Sequence, residues 1–313
     1  MSIIEKAIDR LGEEPPAPRT AADAAPVAEA PRERSTIEAA LTSAPPVPAA
    51  PDAAGAAPAS PPLDVLALGL EGIISPHSER SRTPEEYRMI KRPLLQRAFG
   101  GDAPLGVHRN VVMVTSSVAG EGKTFTSLNL AISIAMEMDR TVLLVDADLA
   151  KPGLSKLLRM QDSPGLTDRL LDANLDLKDL LRRTDVPKLT VLSAGRRHRR
   201  STELLASNAM KDLLDELAQR YADRVVLFDS PPLLATSEAS VLAEQMGQIC
   251  VVVESGATPQ FLVKEALDLL QHKDRVSLVL NKTKRDLLSG QGSYYYGYRY
   301  GSGYGHEKDA AEA

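Results

Sequence analysis

Residues 115–130 read Thr-Ser-Ser-Val-Ala-Gly-Glu-Gly-Lys-Thr-Phe-Thr-Ser-Leu-Asn-Leu and follow the apolar run Val111–Val114. Gly120 and Gly122 free the backbone to turn successive N–H groups inward, the arrangement that cradles phosphate oxygens. A helix starting near Lys123 adds its positive end. Lys123 can then reach the β- and γ-phosphates while the Thr124 hydroxyl ligates Mg²⁺. The expected contacts to an ATP-like nucleotide are Ala119, Gly120, Glu121, Gly122, Lys123, Thr124 and Phe125. One position departs from the pattern G-x-x-x-x-G-K-S/T, which wants glycine where Ser117 stands.

Two further apolar runs end in acids. Val142-Leu-Leu-Val is followed by Asp146-Ala-Asp148, and Val225-Val-Leu-Phe by Asp229. Alternate residues of an extended chain share a face, so Asp146 and Asp148 can enter one crevice. Three carboxylates at one site repel unless a cation neutralises them, and Mg²⁺ on nucleotide phosphates is the fitting cation. Thr124, Asp146 and Asp229 are therefore the expected metal residues, and Lys123, Asp146 and Asp148 the expected catalytic ones.

The other end of the chain is expected to supply a substrate, with a stacking platform for single-stranded nucleic acid or a sticky low-complexity end as the other readings. Six of the eight tyrosines are Tyr294, Tyr295, Tyr296, Tyr298, Tyr300 and Tyr304, spaced by glycine, serine and one arginine. Such spacing builds no packed core, so the segment is expected to be exposed. Within an assembly it can enter a neighbour's crevice at high local concentration. A tyrosine hydroxyl has a pKa of about 10, so a base helps it to attack; Asp148 is the candidate, with Asp146 serving the metal.

These groups need a scaffold that brings strand ends together. From Asn110 onward, β-rich runs at 110–115, 141–146, 189–193, 224–229, 249–253 and 277–281 alternate with helical stretches at 123–138, 203–220, 236–245 and 258–271. That alternation predicts an α/β fold, a mainly parallel sheet with helices on both faces and ligands at the carboxyl ends of the strands. Upstream, Thr83-Pro84-Glu85-Glu86 predicts a helix start with Thr83 as cap and Glu86 completing a capping box; the helix reads through Lys91 and bends at Pro93.

Composition sets the boundaries. Twelve of the 22 prolines precede Leu63, interleaved with alanine, a stretch with too little apolar surface to offset its own ordering. The organisation expected is a short amphipathic segment at 1–14, a disordered linker at 15–62, one folded domain at 63–290 and a tyrosine tail at 291–313. The net charge of −5 argues against general nucleic-acid binding. The single cysteine, Cys250, sits in an apolar run and reads as a core residue in a reducing compartment. With no apolar run of membrane-spanning length and no signal peptide, a cytoplasmic location is expected. The basic stretch Gly195-Arg-Arg-His-Arg-Arg200 reads as a solvated loop or as a contact for phosphorylated tails or an acidic partner.

Taken together, SSVAGEGKT, LLVDADLAKP, VVLFDSPP and the tyrosine cluster resemble the bacterial tyrosine kinases of polysaccharide export. The likeness is greatest to exosortase-associated tyrosine autokinases and covers roughly residues 80–300 with the N-terminal SIIEKAIDRL. It implies a deviant-Walker nucleotide-binding domain that uses ATP and Mg²⁺ to phosphorylate its own tail within a ring-like homo-oligomer. It also implies that Glu85, Arg88 and Lys91 form an oligomerisation motif, with Lys91 where arginine is usual. The activating partner implied is a separate membrane-anchored polysaccharide protein, placing the kinase at the inner membrane. The arginine usual two residues after the second acid is Ala150 here, followed by Lys151, which lacks the bidentate fork. Partitioning and septum-positioning ATPases share much of this pattern, and an ATPase switch without kinase activity is the alternative. Their loop carries an extra lysine where this chain has Val118. Asn281 reads either as the adenine contact of that superfamily or as a strand-ending turn residue.

Overall fold

The computed structural model describes residues 61–75, 82–100, 108–220 and 223–283. The amphipathic segment at 1–14, the linker up to residue 60 and the six tail tyrosines lie outside the described residues.

Seven strands form one sheet: β1 (Val111–Ser116), β2 (Thr141–Asp146), β3 (Arg182–Arg183), β4 (Leu189–Leu192), β5 (Arg224–Asp229), β6 (Gln248–Glu254) and β7 (Val276–Asn281). Their order is β3-β4-β2-β5-β1-β6-β7, parallel except for the β3–β4 pair. The alternating faces of each strand feed two separate cores. Val111, Met113, Leu143, Val145, Val226 and Phe228 face one side; Val112, Val114, Val142, Leu144, Val225 and Leu227 face the other. Burial on both faces is why these strands are continuous apolar runs rather than alternating ones. Cys250 is fully buried in the second core, and its thiol is pushed up to about 12 by that burial.

Helices α1 (Arg82–Phe99) and α2 (Lys123–Ala135) cover the second core. The first core is covered by α4 (Leu166–Leu171), α5 (Leu177–Leu180), α6 (Ser201–Leu205), α7 (Asn208–Arg220), α8 (Ser237–Glu244) and α9 (Gln260–Asp268). A one-turn helix, α3 (Gly153–Leu157), follows β2.

Several local expectations are corrected. Helix α1 begins at Arg82, so Thr83 lies inside its first turn rather than capping it, and Glu86 pairs with Arg82 instead of closing a capping box. The helix also continues through Pro93 to Phe99. Tyr87, Lys91, Leu94 and Ala98 are all buried, which pins both halves of α1 and outweighs the roughly 3 kcal/mol cost of an interior proline. The single helix expected at 203–220 is two, because Ser207 interrupts it. Its hydroxyl donates to the Leu204 carbonyl and accepts from the Met210 N–H, as a serine at a helix start does.

Candidate active site

The loop 117–122 joins β1, an inner strand of the sheet, to α2. Gly120 and Gly122 both have φ +94°, a region in which side chains are strained. At Gly122 there is also no room: a Cβ would stand 2.3 Å from Asn281 Nδ2. Among the described residues no acceptor takes the N–H groups of Gly120, Glu121, Gly122 or Lys123. The Ser117 hydroxyl is likewise buried without a partner.

Beside this loop the sheet register sets Asp146 against Asp229 on adjacent strands. Lys123 Nζ lies 3.0 Å from Asp148 Oδ2 and 3.8 Å from Asp229 Oδ1. The Thr124 hydroxyl donates to Asp229 Oδ2 at 2.7 Å, and Ser127 donates to Oδ1 at 3.2 Å. Asp146 accepts from the backbone N–H of Asp148 at 3.2 Å and of Ser155 at 2.7 Å. Burial pushes the Asp146 carboxyl up to about 7, with the neighbouring Asp229 charge adding to it. Burial likewise raises Asp229, although Lys123 and the Thr124 hydroxyl pull the other way. Burial opposes the Lys123 charge, but Asp229 and Asp148 overcome it, so its pKa is raised.

A cavity of about 600 Å³ opens over these groups, lined by Ala119, Gly120, Gly122, Lys123, Thr124, Phe125, Asp148 and Lys151 among others. Asp148 thus faces the cavity, whereas Asp146 and Asp229 are fully buried beneath it. The Glu121 side chain turns away: it accepts from the Val118 and Glu254 N–H groups and from the Thr258 hydroxyl at 2.5 Å. Only the backbone of Glu121 remains to meet a ligand. Asn281 is not among the residues lining the cavity; its amide donates to the Glu121 carbonyl at 2.9 Å. The donor set fits the expected ligands, with unpaired N–H groups and an ammonium for phosphate and a hydroxyl with recessed acids for a hard divalent ion.

Sequence reading missed Ser127, which lies four residues after Lys123 and so on the same face of α2. It also missed Ser155, whose N–H holds Asp146 and whose hydroxyl accepts from Ala194 N–H.

The three residues of the expected oligomerisation motif do not share one exposed face. Glu85 and Arg88 are exposed and pair with each other. Lys91 is buried, donating to the Ser133 carbonyl at 2.6 Å and pairing with Glu137 at 2.6 Å. In the basic stretch, Arg196 is tied to Asp168 at 2.8 Å, while Arg197, Arg199 and Arg200 are exposed. No helix among the described residues is long and apolar enough to cross a membrane.

No protein-family model matches the chain. It is 32% identical over 228 residues to the tyrosine-protein kinase YwqD of Bacillus subtilis, covering 72% of this chain and 91% of that one. It is 32% identical over 235 residues to the succinoglycan biosynthesis transport protein ExoP of Rhizobium meliloti, covering 72% of this chain. The chain spans only 28% of ExoP, and only 20% of a tyrosine-protein kinase of Acinetobacter johnsonii. Among solved structures, the VpsO kinase domain superposes with a TM-score of 0.54 at 32% identity, covering 64% of this chain and 95% of that domain. With a phosphate loop, paired strand-end acids and a near full-length match to YwqD, the chain belongs to the bacterial tyrosine-protein kinases.

Proposed function

We propose that this chain transfers the γ-phosphoryl group of ATP to the tyrosines of its own C-terminal cluster, Tyr294, Tyr295, Tyr296, Tyr298, Tyr300 and Tyr304. The observation that carries this reading is the meeting of Lys123, Thr124, Asp148 and Asp229 under one cavity. Lys123 exchanges its carboxylate partners for phosphate oxygens, and the backbone N–H groups of the loop take the rest of the phosphate charge. Thr124 and Asp229, with Asp146 behind them, hold Mg²⁺, which supplies charge neutralisation at the transferring phosphoryl. Asp148, the acid that faces the cavity, takes the tyrosine proton as that oxygen bonds to the γ-phosphorus and the β–γ bridge breaks to release ADP. Positioning and charge stabilisation provide most of the rate, as in phosphoryl transfer generally.

The phosphate passes between neighbouring copies in a ring-like homo-oligomer. Each phosphotyrosine adds roughly −1.5 to −2 charges, so a fully modified tail repels its neighbours and loosens the ring. Names such as that of ExoP support a role in exopolysaccharide production, and the sequence resemblance favours the exosortase-associated branch of the family. A membrane-anchored polysaccharide protein then recruits and activates it at the inner face of the membrane.

The test is incubation of the purified chain with Mg·ATP, followed by phosphopeptide mapping of the tail, wild type against Lys123→Met. Phosphotyrosine in the cluster of wild type alone is expected. ATP turnover with an unmodified tail would refute the kinase reading in favour of an ATPase switch.

A further inference from the structure

Asn281, the last residue of β7, and Lys282 just after it both reach the phosphate loop. Asn281 donates to the Glu121 carbonyl at 2.9 Å, and Lys282 Nζ donates to the Gly120 carbonyl at 2.7 Å. Lys282 has φ +54°, a left-handed conformation uncommon outside glycine. Its ammonium is also held by Glu254 Oε2 at 2.8 Å. Glu254 belongs to the same circuit, because its own N–H donates to the Glu121 carboxylate. The circuit therefore closes: loop residue Glu121 grips the end of β6, while Asn281 and the Glu254-braced Lys282 grip the loop carbonyls.

We propose that Lys282, braced by Glu254, is a positioning residue that works with Asn281 to preset the phosphate-binding amides. In a trans peptide the C=O and N–H point in opposite directions. Fixing the Gly120 carbonyl fixes the Glu121 N–H the other way, and fixing the Glu121 carbonyl does the same for the Gly122 N–H. Both N–H groups lack an acceptor among the described residues. Neither Asn281 nor Lys282 lines the cavity, whereas Gly120 and Gly122 do. The clamp thus grips the loop from outside and leaves its donors facing the ligand. A loop with two glycines in the left-handed region would otherwise lose backbone freedom on binding, and a preset loop has already lost it. The inference rests on the nucleotide reading of this loop. The competing view is that Lys282, with its side chain 47% exposed, makes a surface ion pair of no consequence.

The experiment uses the full chain as wild type, Lys282→Met, Lys282→Arg and Glu254→Gln, with thermal melting as a fold control. Two quantities are read: affinity for a fluorescent ADP analogue with Mg²⁺, and amide hydrogen exchange of a peptide spanning 118–124 without nucleotide. Losing one clamp bond, worth about 1 kcal/mol, predicts binding weakened about fivefold to tenfold in Lys282→Met. Exchange at 118–124 should quicken in the nucleotide-free variant, and Lys282→Arg should restore both readings. Wild-type affinity and exchange in Lys282→Met overturn the proposal. So does weakened affinity with unchanged exchange, which would put Lys282 on the ligand rather than on the loop. If wild type binds no nucleotide, the nucleotide reading fails, and the exchange measurement alone decides the clamp.

Discussion

Replacing Asp146 by asparagine should stabilise the nucleotide-free protein at pH 8 and not at pH 4.5. The buried Asp146 carboxyl sits beside Asp229, and its pKa is raised from 3.8 to about 7. The folded chain therefore binds this proton more tightly than the unfolded chain, and wild type loses stability as pH climbs from about 4 to about 7. Above that range the penalty is complete. A shift of this size is worth about 4 kcal/mol in full and about 1 kcal/mol at pH 4.5. The amide carries no charge but has one oxygen, while the carboxylate accepts from both Asp148 and Ser155. Losing one of those bonds costs about 1–3 kcal/mol at any pH. The net effect is a gain of about 1–3 kcal/mol at pH 8 and none, or a small loss, at pH 4.5. Urea unfolding with EDTA at pH 4.5, 6 and 8 measures it. The stability difference, variant minus wild type, should rise by about 3 kcal/mol across the range. A flat difference would show that Asp146 does not carry its charge against Asp229, and the electrostatic picture of the site would fail.

Other substitutions separate parts of the same picture. Gly122→Ala puts a methyl 2.3 Å from Asn281 Nδ2, whereas Gly120→Ala meets nothing within 4 Å and shares the same φ. Gly122→Ala should therefore cost clearly more nucleotide affinity than Gly120→Ala, about tenfold more, as read by calorimetric titration. Lys91→Met should destabilise the chain by about 1–2 kcal/mol by stranding the Ser133 carbonyl and Glu137. Arg88→Ala, which removes an exposed ion pair, should stay within about 0.5 kcal/mol in the same urea melts. Lys123→Met leaves Asp148 and Asp229 without their cation. Its nucleotide-free melting temperature should fall more at pH 8 than at pH 5.5, because acid favours protonation of the stranded Asp229, whose carboxyl is already pushed up by burial.

The sheet was legible because its central strands are buried on both sides and so announce themselves as unbroken runs such as Val142–Val145. The phosphate loop and the strand-end acids were legible for a related reason: glycine, lysine and aspartate at those spacings have few other uses. What could not be read depended on partners far away in sequence. Nothing local to Lys91 says that Ser133 and Glu137 will draw it inward, since an i, i+3, i+6 charge pattern looks the same on a solvated face. Glu121 looked like a ligand residue because its neighbours are, yet its side chain serves Glu254 and Thr258, more than a hundred positions on. Short helices such as Gly153–Leu157 carry too few residues for any period to show, and the stop at Ser207 hangs on one hydroxyl choosing a cap.

The mooring of Lys91 reaches beyond its own bonds. Its ammonium fastens α1 to the far end of α2, the helix whose opening residues are Lys123 and Thr124. Spinning or sliding α1 would drag that helix with it. Any shift of α1 therefore bears on a two-helix frame whose opposite tip carries the ammonium and hydroxyl of the candidate site.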